Sequence, residues 1–194
     1  MKLRETKPVL ICIDLQLGFL DEDIWGGNRN NKDSEEVCSK IIALWRSVNE
    51  KIIHVRHSSI DINSKLHASN NGFRFNPLCK PIKDETILTK SVNSCFIGTN
   101  LRDTLDQMNC NTVVIVGLTT DHCVSTTTRM AGNFGYDTYL ISDATATFDK
   151  LGQNGEIFDS ELIHKTALAS LNKEFATVIS STDLFKMIIK WQFF

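Results

Sequence analysis

The chain alternates short apolar segments, rich in β-branched residues, with longer segments whose apolar positions recur at helical spacing. Unbroken runs of four or five apolar residues are typical of strands that are covered on both faces of a sheet. Strands are therefore predicted at residues 9–13, 52–56, 86–89, 112–116, 138–142 and 176–180. Helices are predicted at residues 34–49, 98–108, 121–134, 160–171 and 182–191.

This alternation predicts an α/β fold with three layers, in which a six-stranded parallel sheet carries helices on both faces. The length of 194 residues and the lack of an internal repeat or linker indicate a single domain over residues 1–194. Such sheets bind ligands beyond the carboxyl ends of their strands, where the strand order reverses. Functional residues are therefore expected directly after predicted strands.

Composition and charge exclude several classes of partner. The chain is 42% hydrophobic and 23% charged, with a formal net charge of −2, which gives no basic surface for nucleic acid. The sequence contains no basic amphipathic stripe of the kind that would indicate binding to a membrane surface. The first apolar run is interrupted by Asp14 and is too short for a signal peptide or a membrane span. We therefore expect a cytoplasmic protein.

A polar, irregular segment at residues 57–84 interrupts the alternation and contains Pro77 and Pro81. Loops longer than ~12–15 residues are uncommon inside compact domains and are often lids or binding loops. Phe73 and Phe75 are two positions apart, a spacing typical of aromatic residues that insert into a neighbouring surface. The segment is interpreted as a lid or a subunit contact, over its own site or that of a neighbouring subunit, and a surface loop anchored by these rings is the alternative.

Two charged residues directly follow predicted strands. Asp14 comes after four apolar residues, so it should lie half-buried at a strand's carboxyl end, where burial raises the pKa of a carboxylate and suits it to act as a general base. Lys90 ends the strand Ile87-Leu88-Thr89 in the same way and could serve as the counter-ion of Asp14. Taken singly, a turn-capping aspartate and a surface lysine are the alternatives.

Cys123 has the context of a nucleophile. A buried strand runs through Gly117 into a turn, and the helix that follows is expected to hold Cys123 in its first turn. The positive end of the helix dipole would lower the pKa of that thiol, and the free N–H groups of the turn would form an oxyanion hole. A buried structural cysteine is the alternative. The other five cysteines form no C-x-x-C or zinc-like pattern and are expected to be buried thiols.

Three segments, ICIDLQLGF, ILTKSVNSCF and VVIVGLTTDHCVSTT, resemble the isochorismatase-like family of cysteine hydrolases in their order and spacing. The resemblance covers roughly residues 8–179 and implies a six-stranded parallel sheet. It implies a catalytic triad of Asp14, Lys90 and Cys123. It further implies a cis Leu118–Thr119 peptide and an oxyanion hole formed by the N–H groups of Thr119 and Cys123.

The function implied is cleavage of a C–N bond in a small amide or ureide through a thioester, without a cofactor. Asp14 would take the proton of Cys123, and the thiolate would attack the carbonyl. Isochorismatase-type hydrolysis of a vinyl ether, which does not depend on the cysteine, is one alternative. A catalytically silent binding or scaffold protein is another. A dinucleotide-binding module is disfavoured because no G-x-G-x-x-G follows the first strand.

A metal site is not expected. Nicotinamidases of this family carry an Asp-x-His step after the second strand, whereas this chain has Val55-Arg56-His57 there. His54 and His57 would point to opposite faces of an extended strand. His67, His122 and His164 are expected to be ordinary hydrogen-bonded residues.

Aromatic and apolar residues near the predicted triad are candidates for the substrate pocket. Phe19 matches a pocket-wall aromatic residue of the family. Phe73 and Leu118 are weaker candidates for the same wall, and Trp25 is more plausibly a core residue.

The C-terminal segment predicts a homo-oligomer, and the family that the chain resembles is commonly oligomeric. Its apolar residues exceed what a chain end in water should expose: Met187, Ile188, Ile189, Trp191, Phe193 and Phe194.

Overall fold

A six-stranded, fully parallel sheet forms the centre of the molecule, as the sequence predicts. The computed structural model describes residues 3–189. The sheet has the order β3-β2-β1-β4-β5-β8. Its strands are β1 (Val9–Ile13), β2 (Ile52–His57), β3 (Thr86–Lys90), β4 (Thr112–Leu118), β5 (Asp137–Ala146) and β8 (Thr177–Ile179). A separate two-stranded hairpin joins β6 (Lys150–Leu151) to β7 (Ile157–Phe158).

Helices cover both faces of the sheet, which gives the three predicted layers. They are α1 (Glu22–Trp25), α2 (Ser34–Ser47), α3 (Leu101–Gln107), α4 (Ser125–Asn133), α5 (Ser160–Leu171) and α6 (Ser181–Ile189). Leu10 and Cys12 of β1 belong to the core on the side of α2 and α6. Ile11 and Ile13 belong to the opposite core, with residues of α3, α4 and α5. Alternate residues of one buried strand thus fill two separate cores.

The strand order reverses between β1 and β4, because β2 and β3 lie on one side of β1 while β5 and β8 lie beyond β4. Gly117 of β4 faces Ile13 of β1 at this point. Its φ is +124°, and an added Cβ would collide with the carbonyl oxygen of Ile13. Glycine is therefore required at this point, because the carbonyl of Ile13 leaves no room for a side chain.

Two features of the chain differ from the sequence prediction. A helix is predicted to begin at Asp121, but that residue lies in a π-helical turn at Thr120–Val124. Regular α-helix starts only at Ser125. The β6–β7 hairpin was not predicted, because its two-residue strands are too short to show alternation.

The segment at 57–84 is held against its own chain. Gln16 forms an isolated antiparallel bridge with Phe75. Leu66 and Cys79 are buried, and two short 3-10 turns, Asn71–Phe73 and Pro77–Cys79, break the segment into well-packed pieces. Its irregular sequence thus reflects a chain that packs without regular structure.

Within the described residues, no helix combines the length and the apolar character needed to cross a membrane. Of the apolar C-terminal residues, Ile188 is buried in the core and Met187 packs against it. Trp191, Phe193 and Phe194 lie outside the described residues. Oligomerisation therefore stays a prediction.

Candidate active site

Asp14 lies fully buried directly after β1. Its backbone has φ of +52°, a left-handed conformation that aspartate tolerates better than most residues. The Asp14 N–H donates to the carbonyl of Val55 at 2.8 Å, which holds the residue at the sheet edge. Oδ2 accepts a hydrogen bond from Nζ of Lys90 at 2.6 Å, whereas Oδ1 is buried without a hydrogen-bond partner among the described residues. Burial raises the pKa of Asp14, and the charge of Lys90 opposes that rise.

Lys90 is the last residue of β3, and its side chain is fully buried. Besides Asp14, its ammonium contacts Sγ of Cys123 at 3.3 Å and Nδ1 of His57 at 3.3 Å. Burial by itself lowers the pKa of Lys90, but the neighbouring carboxylate and sulfur outweigh it, so the pKa is raised. The ammonium thus stays charged between the carboxylate and the thiol.

Cys123 lies in the π-helical turn and is only 7% exposed. Oδ1 of Asn93 lies 3.7 Å from its sulfur. Burial, followed by the charge of Asp14, raises the pKa of the thiol far above its usual range, although Lys90 opposes this. The expected lowering of the pKa by a helix dipole is therefore wrong, because burial and a facing carboxylate dominate. Burial and the facing carboxylate thus favour the thiol of Cys123 over its thiolate.

Hydrogen bonds to α5 and within the turn itself hold the turn that carries Cys123. Oγ1 of Thr120 lies 2.9 Å from Nδ1 of His164 in α5. The carbonyl of Thr119 accepts from the N–H groups of His122 and Val124, both at 3.2 Å. The peptide bond between Leu118 and Thr119 is cis. These contacts fix the backbone on both sides of the cysteine.

A cavity of about 270 Å³ opens onto Asp14 and Cys123. Phe19 and Trp25 form an aromatic wall, with stacked rings whose centroids lie 4.7 Å apart. The remaining lining residues, polar apart from Leu66, are His57, Ser59, Ser64, Leu66, Asn93, Thr119, His122 and Lys150. Four of them, His57, Ser59, Ser64 and Leu66, belong to the segment at 57–84, so that segment lines the cavity of its own chain.

A family model described as the isochorismatase domain matches residues 8–183. The chain belongs to the isochorismatase family. It is 49% identical over 186 residues to an isochorismatase family protein, YrdC, of Bacillus subtilis, covering 96% of this chain and 98% of that one. A crystal structure of an isochorismatase-family hydrolase from Chromobacterium violaceum superposes with a TM-score of 0.93 at 33% identity, covering 98% and 97% of the two chains. Nicotinamidase 3 of Arabidopsis thaliana is 27% identical over 105 residues, which are 54% of this chain and 48% of that one.

The predicted site residues of this isochorismatase-family hydrolase are brought together only in part. Asp14, Lys90 and Cys123 meet at the sheet edge, and Phe19 lines the cavity beside them. Leu118 does not line the cavity, because it is buried in the core on the side of α2.

Phe73 does not line the cavity of this isochorismatase-family member either. Its ring is covered by the guanidinium of Arg56, with 4.2 Å between Cζ and the ring centroid. Trp25, which was taken for a core residue, packs against the core and also forms part of the wall.

Six polar residues of the cavity are not among the site residues predicted from the sequence: His57, Ser59, Ser64, Asn93, His122 and Lys150. Ser59 and Ser64 lie in the segment that the sequence indicates as a lid or subunit contact. His57 ends β2 as Lys90 ends β3, so the rule that selected Lys90 could have selected it. Asn93 and His122 each lie within three residues of a predicted triad member. Lys150 comes from the unpredicted β6–β7 hairpin and carried no signal.

The donor atoms of Asp14, His57 and Cys123 lie within 4.8 Å of one another, the only such metal-capable cluster within residues 3–189. The ammonium of Lys90 is in hydrogen-bonding contact with all three of them. A metal ion at that point would have to displace this buried cation. The arrangement in this isochorismatase-family member therefore does not fit a metal site, and Lys90 supplies the positive charge instead.

Proposed function

We propose that the protein hydrolyses a C–N bond of a small amide or ureide through a thioester on Cys123. The observation that carries the proposal is the position of the Lys90 ammonium, in hydrogen-bonding contact with both the carboxylate of Asp14 and the sulfur of Cys123. A carboxylate and a thiol that share one cation can exchange a proton without separating charge over a distance. The partial similarity to a nicotinamidase supports an amide as the substrate.

The first half of the reaction forms the thioester. As the sulfur of Cys123 attacks the carbonyl carbon, its proton passes to Asp14, whose buried Oδ1 has no other hydrogen-bond partner within residues 3–189. The carbonyl becomes an oxyanion, to which the N–H groups of Thr119 and Cys123 donate. Asp14 then gives its proton to the leaving nitrogen as the C–N bond breaks. Because burial and the carboxylate of Asp14 favour the protonated thiol, its deprotonation is assigned to the attack itself.

Water completes the second half. Asp14, again a carboxylate, takes a proton from a water molecule that attacks the thioester carbonyl. The C–S bond breaks, the acid leaves, and the sulfur recovers the proton. Water is the only co-reactant, so the scheme needs no cofactor. In both halves of the reaction, the positive charge of Lys90 stabilises the negative charge on the carboxylate of Asp14 or on the sulfur of Cys123.

The cavity favours a small substrate with a flat or apolar part. Its volume of about 270 Å³ is near the lower end of ligand pockets. The stacked rings of Phe19 and Trp25 offer an apolar wall, while the rest of the lining is polar apart from Leu66. Amides and ureides with a compact hydrophobic group combine these two properties.

A screen for ammonia release from small amides and ureides tests the proposal. Wild-type protein should turn over at least one of them, and Cys123→Ala should not. Cys110→Ala, which removes a buried thiol of the core outside the cavity, is the matched control and should retain turnover. An acyl adduct on the Cys123 peptide, trapped by acid quench and found by mass spectrometry, should accompany turnover. Full activity of Cys123→Ala on such a substrate would exclude the thioester route.

A further inference from the structure

The ammonium of Lys90 has a third neighbour besides Asp14 and Cys123. Nδ1 of His57 lies 3.3 Å from Nζ, and the ring lines the cavity. An ammonium group carries three N–H donors and no acceptor. One carboxylate oxygen, one sulfur and one ring nitrogen therefore match its three donors one to one.

The strand order explains why a residue of β2 makes this contact. Lys90 ends β3, whereas Asp14 follows β1, and β2 lies between these two strands. Neighbouring strands are about 4.8 Å apart, so the lysine side chain must pass over the end of β2. His57 is paired in register with Lys90 and therefore presents its side chain on the same face. The imidazole thus lies beside the path that the lysine side chain takes.

His57 is itself held in place by the chain segment that carries Asp14. Its N–H donates to Oε1 of Gln16 at 2.7 Å, and its carbonyl accepts from Nε2 of Gln16 at 3.0 Å. Gln16 is buried, and Nε2 also donates to the carbonyl of Phe73 at 3.0 Å. The two hydrogen bonds with Gln16 fix the backbone of His57 relative to β1, so the ring starts from a fixed point beside the end of β3.

The contact with Lys90 determines the tautomer of the ring. Because the ammonium can only donate, Nδ1 of His57 must accept, and the proton of a neutral ring then lies on Nε2. A protonated ring would offer no acceptor and would place a second cation 3.3 Å from Nζ. Burial lowers the pKa of His57, the charge of Lys90 lowers it further, and Asp14 acts in the opposite direction.

We infer that His57 is a positioning residue: its neutral ring accepts the third hydrogen of the Lys90 ammonium and holds that cation between Asp14 and Cys123. Its effect on the reaction passes through Lys90. Without the ring, the ammonium would keep its strong bond to Asp14 but would no longer be directed toward the sulfur. The inference rests on the proposed thiol chemistry and adds a fourth residue to it.

Two variants test whether the acceptor is what matters. His57→Leu fills the space but removes the acceptor, whereas His57→Asn keeps an acceptor oxygen near the position of Nδ1. We expect His57→Leu to lose kcat by about tenfold to a hundredfold, the usual range for a supporting contact, and His57→Asn to recover most of it. His67→Leu, in the loop outside the cavity, is the matched control. Melting temperatures of all variants identify any that fail to fold.

A second readout needs no substrate. The rate at which iodoacetamide alkylates Cys123 in the folded protein, followed from pH 7 to 10 by mass spectrometry of its peptide, reports the fraction of this thiol that is ionised at each pH. Since Lys90 lowers the pKa of Cys123, we expect the profile of His57→Leu to move to higher pH and that of His57→Asn to stay near wild type. Nitrogen-15 spectra of wild-type protein, assigned by comparison with His57→Asn, should show the His57 ring neutral and protonated on Nε2 at pH 8.

These results separate the inference from the proposed function. An alkylation profile for His57→Leu that matches wild type, or a ring protonated on Nδ1, would overturn the role of His57 while leaving the thioester mechanism standing. Conversely, an active Cys123→Ala variant would overturn the mechanism whatever the state of His57.

Discussion

The carboxylate of Asp14 and the ammonium of Lys90 lie 2.6 Å apart, although β1, which Asp14 follows, and β3, which Lys90 ends, are not neighbours. Both side chains are fully buried. A buried ion pair is costly to desolvate, and replacing it with apolar residues often costs no stability. Its presence at the sheet edge, in contact with the sulfur of Cys123, is therefore better explained by chemistry than by folding.

Asp14→Asn should separate turnover from thiol reactivity. Loss of the general base should lower kcat/KM by about 10²- to 10⁴-fold. The same change removes the negative charge that raises the pKa of Cys123 but leaves the ammonium of Lys90, so the thiol should lose its proton at lower pH. Alkylation of Cys123 at pH 7 should then be faster than in wild type, measured on its peptide by mass spectrometry.

The control for this variant is Asp137→Asn, which neutralises an exposed carboxylate at the start of β5 and should change neither rate. Slower alkylation in Asp14→Asn would mean that the carboxylate activates the resting thiol, contrary to the buried geometry described above.

Lys90→Met should move the acid limb of the pH profile. Asp14 must be ionised to take the thiol proton, so kcat/KM should fall as pH falls through its pKa, which burial has raised above the usual 3.8. Lys90 opposes that rise, and without its charge the pKa of Asp14 should be higher still. The acid limb should therefore move to higher pH, and the rate at pH 7 should fall by about 10²-fold or more.

Lys65→Met is the control for that shift, because Lys65 forms an exposed ion pair with Asp21 at 2.9 Å. Its profile of kcat/KM against pH should overlay that of wild type. An acid limb in Lys90→Met that coincides with wild type would assign the titrating group to a residue other than Asp14.

The rule that the carboxyl ends of parallel strands meet at one edge selected Asp14 and Lys90. Cys123 was selected by its place in the first turn of a predicted helix, and the triad as a set was implied by the family resemblance. The pairing of Lys90 with Asp14 was predicted as well and is confirmed. The path of the lysine side chain over the end of β2, beside His57, was not predictable, because it depends on the strand order. The pKa direction of Cys123 was predicted wrongly, since a local argument from helix polarity cannot include a carboxylate that arrives from β1. Phe73 was misplaced for a similar reason, as the Arg56 guanidinium that covers it belongs to another element.

Chelation should leave turnover unchanged. The cluster of Asp14, His57 and Cys123 already surrounds the ammonium of Lys90, which is held at 2.6 Å by the carboxylate. Activity after dialysis against EDTA, with metal content followed by elemental analysis, should equal that of untreated protein. A loss that zinc or iron restores would show that a metal ion replaces the lysine in the working enzyme.

Gly117→Ala should destabilise the fold at the junction between β1 and β4. Gly117 combines φ of +124° with a Cβ position that overlaps the carbonyl oxygen of Ile13, so alanine would meet both backbone strain and a collision. Gly135→Ala is the matched control, because Gly135 has φ of +86° but open space around its Cβ position. Each strained backbone conformation costs roughly 1–3 kcal/mol. Urea unfolding should therefore show that Gly135→Ala lowers the free energy of unfolding within that range and that Gly117→Ala lowers it by more.

Gly117→Ala should also lower turnover under conditions where it remains folded, because Ile13 precedes Asp14. Gly135→Ala should not lower turnover. Equal losses of stability in the two variants would mean that β1 and β4 can move apart at Gly117 without cost. The contact between these strands at Gly117 would then not explain how Asp14 is held beside the turn that carries Cys123.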